Sequence, residues 1–223
     1  KVKDQVLAQG EILSAKTITH LLNKLRVKAN FVDSRTLIKT NNQFGKALPF
    51  ESVSEENVIE HYRKNNGNVT QIITGFIASN LNGETTTLGR NGSNYTASLI
   101  ANFLNAEEFQ NYTHVSGIYT ANPDLVENSK KIEKLSYQEA NEMANFGANI
   151  LHAKTIIPLI EKNIPLRILN TFDPENLGTL IGSESEQGGI KSLSVQEDVA
   201  LVNLIGRGLL GKVGVDGRIF SAL

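Results

Sequence analysis

The run at residues 84–97, Glu-Thr-Thr-Thr-Leu-Gly-Arg-Asn-Gly-Ser-Asn-Tyr-Thr-Ala, constrains this chain more than any other stretch. It packs threonines, glycines, an arginine, a serine and asparagine into one loop, then enters an apolar helical pattern of Ala97, Leu99, Ile100, Phe103 and Leu104. A strand-like run, Val69-Thr70-Gln71-Ile72-Ile73-Thr74, stands before it and is closed by Gly75. A strand, a loop rich in glycine and hydroxyls, and a helix start form an arrangement suited to anions. Free N–H groups and the positive end of the helix dipole converge on one spot. Arg90 adds a planar fork of donors matched to a carboxylate or a phosphate. The same residues also suit a polar surface loop with an N-cap serine, and the loop alone leaves both readings open.

Around this loop the chain alternates helix and strand. Residues 11–25 predict a helix with Ile12, Ile18, Leu21, Leu22 and Leu25 on its buried stripe. Residues 29–32, 69–74 and 166–169 read as buried strands, the last placed just after Pro165. Ser52-Val53-Ser54-Glu55 and Ser136-Tyr137-Gln138-Glu139 are S-x-x-E capping boxes, which predict helix starts near residues 53 and 137. Such alternation predicts an α/β fold, with a mostly parallel sheet covered by helices on both faces.

Composition narrows the function without naming it. At 223 residues the chain is long enough for one large α/β domain or two small ones. Its net charge of -1 gives no polybasic face for nucleic acid or an anionic membrane. No apolar run approaches the roughly 20 residues that span a bilayer, and no signal peptide opens the chain, so a soluble cytoplasmic protein is expected. With no cysteine, disulfides, thiol catalysis and cysteine metal sites are excluded. The four histidines form no metal-ligand pair, so no metal held by the protein is expected.

The loop also carries a resemblance. Its core, TTTLGRNGSNYTA, resembles the TTLGRGGSDxTA signature of aspartokinases, within the amino-acid kinase superfamily. Gln9-Gly10-Glu11-Ile12-Leu13-Ser14 is similar to the family's "GE.LS" segment, and Val32-Asp33-Ser34-Arg35 to its "LDAR". Thr74-Gly75-Phe76-Ile77 resembles "GFIG", and residues 113–123 resemble "TDVDGVYTADP". Residues 144–152 with 155–158 resemble "AyFGAkVLHprTIxP". Ile164-Pro165-Leu166-Arg167, Asn170-Thr171-Phe172 and Gly178-Thr179 follow as "IPirvkNTFxPxxxGT".

That resemblance implies a three-layer α/β/α amino-acid kinase fold over residues 1–182. It further implies aspartate kinase activity: transfer of the ATP γ-phosphoryl group to the β-carboxylate of L-aspartate, at the head of lysine, threonine and methionine biosynthesis. The implied cofactors are ATP and the Mg2+ it carries. For aspartate, the resemblance points to Arg90 on the α-carboxylate, Ser93 and Asn94 at the helix start, and Glu11 on the ammonium. Glu11 also fits a plain helix-start carboxylate facing the dipole. For the nucleotide it points to Thr113, His114, Tyr119 and Asn149. Here the chain departs from the family. His114 and Ser116 replace the acids of "TDVDGVY", Asn122 and Asp124 replace the acid and arginine of "ADPR", Asn149 stands for a lysine, and Asn94 stands for the acid of "GGSD". Acids become Asn or Ser, which keep hydrogen-bonding shape while losing charge. His114 alone identifies no role and also reads as a polar residue at a strand end, while Tyr119 also reads as loop core. His152 is expected to be a hydrogen-bonder at a helix start.

The ends read as those of a fragment. The first residue is not methionine, the last residues fall inside an amphipathic pattern, and the family's opening strand with its "KFGGTS" phosphate loop does not occur. The fragment alone is therefore expected to be inactive. Residues 183–189 are small and polar and read as a linker. Beyond it, residues 190–194 and 199–205 read as strands. Gly206-Arg207-Gly208-Leu209-Leu210-Gly211 then satisfies G-x-G-x-x-G, a weak dinucleotide fingerprint without a full βαβ unit. In its position it instead resembles the start of an ACT domain at 190–223. Gly206, Gly208 and Gly211 would then form the effector loop for an amino acid such as threonine or lysine. A homo-oligomer is expected, and a homoserine dehydrogenase fused behind the kinase is a further expectation. A degenerate, non-catalytic amino-acid-sensing module is the alternative to the enzyme.

Overall fold

The computed structural model describes residues 1–65, 69–145, 152–185 and 190–193. The expected sites at Asn149, Gly206, Gly208 and Gly211, and with them most of the expected ACT segment, lie outside these residues.

Helix α1, Val2–Lys24, opens the chain and is longer than the periodicity predicted. Its buried positions are Asp4, Ala8 and Ala15, whereas Ile18, Leu21 and Leu25 are exposed. Of the predicted stripe, Ile12 and Leu22 are half-buried and none is fully buried. Alanines let the helix backbone approach the sheet closely, which turns the larger side chains of this helix away from it. Strand β1, Ala29–Val32, follows, then a 3-10 turn at Ser34–Thr36, β2, Lys39–Thr40, and helix α2, Glu51–Lys64. The S-x-x-E pattern at 52–55 is not a capping box, because α2 already begins at Glu51. Phe50 N–H donates to Lys39 O at 2.7 Å and Pro49 bridges Thr40. That tether to β2 fixes the chain before Ser52, and Ser54 Oγ turns back to Phe50 O at 2.8 Å.

Strand β3, Thr70–Ile73, runs parallel to β1 with Val32 opposite Ile73. Strands β4, Ile77–Asn80, and β5, Thr85–Thr87, form a hairpin whose first strand pairs parallel with β2. Helix α3, Gly92–Leu104, then leads to β6, Phe109–Thr113. A small antiparallel pair, β7, Ile118–Tyr119, and β8, Lys131–Ile132, precedes β9, Lys134–Ser136, and helix α4, Tyr137–Asn145. Here the capping box forms as expected: Glu139 N–H donates to Ser136 Oγ at 3.1 Å, and Ser136 N–H to Glu139 Oε2 at 2.8 Å. Helix α5, Ala153–Glu161, and strands β10, Leu166–Asn170, and β11, Thr179–Gly182, complete the domain.

The strands form four small sheets among the described residues, not one mostly parallel sheet. Parallel pairs β1–β3, β2–β4, β6–β10 and β9–β11 alternate with antiparallel pairs β4–β5, β10–β11 and β7–β8. Helices and mixed sheets together give the expected α/β class. Two apolar cores lie on either side of α3. Leu99, Ile100 and Phe103 join Val32, Ile38, Val58 and Leu88 in one, and Ala101 joins Leu135, Ile156, Leu166 and Ile168 in the other. Buried Asn102 ties α3 to α5, donating from Nδ2 to Pro158 O at 2.7 Å and to Glu161 Oε2 at 3.1 Å. Helix α3 thus holds both halves, and its first turn carries the candidate site. At 190–193 no strand forms, contrary to expectation; Leu193 N–H instead donates to Thr120 O at 2.8 Å.

Candidate functional site

Three turns meet at the start of α3. The β3–β4 turn holds Thr74, Gly75 and Phe76; the β5–α3 loop holds Leu88, Gly89, Arg90 and Asn91; and the loop after β2 holds Gly45 and Lys46. Gly75 lies so close to the helix that a Cβ on it would stand 2.7 Å from Ser93 Cβ. A Cβ on Gly92 would stand 2.8 Å from Phe76 Cδ2. Gly75 is required by the close approach of the first turn of α3, and Gly92 by the Phe76 ring and the Leu88 side chain. Phe76 sits at φ 66, a conformation that costs a bulky residue free energy and persists only where its surroundings impose it. Its N–H donates to Thr96 Oγ1 at 3.1 Å, its carbonyl accepts from Leu88 N–H at 2.9 Å, and Thr96 donates on to Gly92 O at 3.0 Å. Phe76 and Thr96 were not singled out from the sequence; only a positive φ marks Phe76, and side-chain patterns do not show it.

The Arg90 loop has its own shape. Gly89 has φ 78 and Asn91 is left-handed at φ 56, so Arg90 is carried on a bend between two left-handed residues. Asn91, not Ser93, occupies the N-cap position, and its side chain makes no capping bond. The reading of this loop as a plain serine cap is thereby corrected: Ser93 is the second residue of α3 and is exposed, with Asn94 half-buried after it. The first N–H groups of a helix lack internal acceptors. That of Gly92 is taken by Gly89 O at 3.0 Å, and the first internal bond runs from Tyr95 N–H to Asn91 O, also at 3.0 Å. Arg90 is exposed and has no ion pair or hydrogen bond among the described residues.

The neighbouring Arg35 is not free in the same way. Its Nε donates to both Asp33 oxygens at 2.9 and 3.1 Å, and Nη1 donates to Thr85 Oγ1 at 3.0 Å. Burial works against the Asp33 carboxylate, but these Arg35 bonds hold it below the usual carboxylate range. Arg35 braces the bend after β1.

Glu11 lies on α1, which packs against β1, β3 and β5. Its carboxylate is half-buried, burial pushes its pKa up, and no cation or donor reaches it among the described residues. No hydrogen bond or ion pair joins it to Arg90, Ser93 or Asn94. A desolvated acid without a partner is suited to an incoming ammonium.

Thr113, His114 and Tyr119 gather on the turn that leaves β6 for β7. Thr113 Oγ1 and His114 Nδ1 are 3.4 Å apart, and His114 is exposed. Ser116 Oγ accepts from Asn170 Nδ2 at 2.9 Å, which ties this turn to the end of β10. A Cβ on Gly117, at φ 133, would meet Thr179 Oγ1 at 2.5 Å, and the same oxygen accepts from Ile118 N–H at 2.8 Å. Asn122 Oδ1 accepts from Asp124 N–H at 3.0 Å, so that replacement serves a local turn. His152 caps α5 as expected, its Nδ1 accepting from Lys154 N–H at 3.3 Å. No hydrogen bond links this turn to the Arg90 loop. Among the described residues, no group of three or more His, Asp or Glu side chains could hold a metal ion. No described helix is long and apolar enough to cross a membrane.

An exposed guanidinium at a helix start, beside the carboxyl end of a parallel strand, is an arrangement of α/β proteins suited to an anion. The chain belongs to the amino acid kinase family, whose model matches residues 1–170. It is 35% identical over 223 residues to lysine-sensitive aspartokinase 3 of Escherichia coli (strain K12), covering 99% of this chain and 49% of the relative. It is 34% identical over 226 residues to the chloroplastic bifunctional aspartokinase/homoserine dehydrogenase 1 of Zea mays, covering 99% of this chain and 25% of that one. The crystal structure of E. coli aspartokinase III in complex with aspartate and ADP superposes with a TM-score of 0.77 at 36% identity, over 82% of this chain and 41% of that one. The chain thus spans about half the length of one of these relatives and a quarter of the other.

Proposed function

We propose that this chain carries the aspartate-binding part of an aspartate kinase, which transfers the γ-phosphoryl group of ATP to the β-carboxylate of L-aspartate. One observation carries this reading: the exposed, unpaired Arg90 guanidinium, held between two left-handed residues at the start of α3. A planar fork pairs both oxygens of the α-carboxylate, with Ser93 and Asn94 adding polar groups at the helix end. Glu11 then takes the α-ammonium, which explains a desolvated acid with no partner among the described residues. In the reaction a β-carboxylate oxygen bonds to the γ-phosphorus as the bond to the β–γ bridging oxygen breaks, and ADP leaves with that electron pair. Such a transfer asks the protein for in-line placement and neutralised charge, with little covalent work.

Thr113, His114, Tyr119 and Asn149 are assigned to the nucleotide. Mg2+ is assigned to the nucleotide's own phosphates. Regulation by lysine or threonine through residues 190–223, a homo-oligomer and a fused homoserine dehydrogenase remain parts of this proposal; the names of the relatives above motivate the first and last. The alternative of a non-catalytic sensing module draws no support from those relatives. An aspartyl hydroxamate assay on the complete gene product tests the activity. Hydroxamate formed by the complete product from aspartate and ATP is expected. No hydroxamate from the complete product overturns the proposal.

A further inference from the structure

Asp4 is 2% exposed, and a buried carboxylate is retained only where donors replace its lost water. One of its oxygens, Oδ2, accepts from two groups: Gly45 N–H at 2.8 Å and Thr87 Oγ1–H at 3.1 Å. Its charge has no cationic partner among the described residues; its place in the first turn of α1 sets it against the positive end of the helix dipole.

The two donors grip the Arg90 loop from both sides. Thr87 ends β5, three residues before Arg90. Gly45 belongs to the loop after β2, and its carbonyl oxygen lies 3.3 Å from where a Cβ on Gly89 would be. Ala47 N–H fastens the same loop to Thr87 O at 2.9 Å. Gly89 is the left-handed hinge from which Arg90 projects, so one carboxylate oxygen fixes both the strand that feeds the hinge and the loop that abuts it.

Seven residues on from Asp4, about two helical turns, is Glu11, on the same side of α1. We propose that Asp4 is a positioning residue for L-aspartate: it sets the spacing between Glu11 on α1 and Arg90 on its loop. This rests on the assignment of those two residues to the substrate. In an amino acid the α-ammonium and α-carboxylate are a fixed distance apart. A pin that locks the helix to the loop holds the two groups in place before substrate arrives, which lowers the ordering cost. Neither the nucleotide turn at 113–119 nor its neighbours touches Asp4 through a hydrogen bond.

Steady-state kinetics of Asp4→Asn, Thr87→Val, Thr87→Ser and Arg90→Ala, with aspartate and ATP varied separately in the complete gene product, test this. Asp4→Asn and Thr87→Val are expected to raise KM for aspartate about tenfold each, the scale of a lost charge-assisted bond, with KM for ATP unchanged. Together they are expected to cost little more than either alone, because both cut one network. Thr87→Ser keeps the hydroxyl and is expected to keep the original KM. Calorimetric titration of L-aspartate gives the same ranking independently of turnover, and Thr87→Val carries the test if Asp4→Asn fails to fold. A fall in kcat with both KM values unchanged means that Asp4 only holds the fold, and overturns the proposal. Arg90→Ala reads the site separately: unaltered aspartate use by that variant overturns the substrate assignment itself.

Discussion

Gly75 and Ser93 meet backbone to backbone: a methyl group on the glycine would stand 2.7 Å from the serine Cβ and 2.8 Å from its Cα. This contact joins the end of β3 to the first turn of α3, and nothing but glycine fits it. Gly75→Ala is therefore expected to destabilise the protein by about 2 kcal/mol, the range of core overpacking, and to displace Ser93. Gly10, inside α1 with nothing within 4 Å of its Cβ position, is the control. Gly10→Ala is expected to stabilise by up to about 1 kcal/mol through helix propensity. Urea unfolding of both variants checks the opposite signs.

Glu11 gives a pH-dependent prediction in one direction. Its folded pKa is raised by burial, so the folded state holds its proton more tightly than the unfolded chain does. Stability linked to this group is fully present below the unfolded value of about 4.3 and is lost as pH rises through the folded value. Glu11→Gln should thus be more stable than the original protein at pH 7 yet bind L-aspartate more weakly. Thermal melts at pH 4 and 7, with an aspartate titration, check both halves.

Asp33 runs the other way. Burial raises its pKa, but Arg35 more than offsets this, and the carboxyl is held low. The stability it contributes is present above the unfolded value of about 3.9 and is lost as pH falls through the depressed folded value. Asp33→Asn should flatten acid unfolding below about pH 4 while leaving the midpoint pH dependence of Glu11 intact. Urea midpoints between pH 2 and 6, about the range where carboxylates titrate, check this.

How much of this was legible before the structure depends on the kind of signal. Pattern found β1, β3, β10 and the Ser136–Glu139 cap because each is set by residues within a few positions of one another. The face of α1 was misjudged because its docking is decided by small residues, Ala8 and Ala15, whose importance appears only once a sheet lies against them. The false cap at Ser52 shows the same limit, since Pro49 and Phe50 are fixed by β2, distant in sequence. Arg90 and Ser93 could be found from a local loop. Phe76, Thr96 and Asp4 could not, because their part depends on a backbone angle or on partners tens of residues away.

Asn94 stands at the helix start, where the aspartokinase signature that this loop resembles has an acid. Asn94→Asp is expected to slow turnover, because the new charge competes with the α-carboxylate for Arg90 and repels the incoming phosphates. The sign of the kcat change, measured at saturating aspartate, checks it; a faster enzyme would contradict it.

Arg90 holding the α-carboxylate of aspartate is the claim on which the rest depends. The most direct measurement is kcat/KM for aspartate in the complete gene product carrying Arg90→Lys, beside KM for ATP. One ammonium keeps the charge but cannot reproduce the planar fork. The account predicts a loss equivalent to about 2 kcal/mol for aspartate, the scale of a charge-assisted hydrogen bond, with KM for ATP unchanged. Unchanged kcat and KM for aspartate would contradict it and leave Arg90 a surface residue.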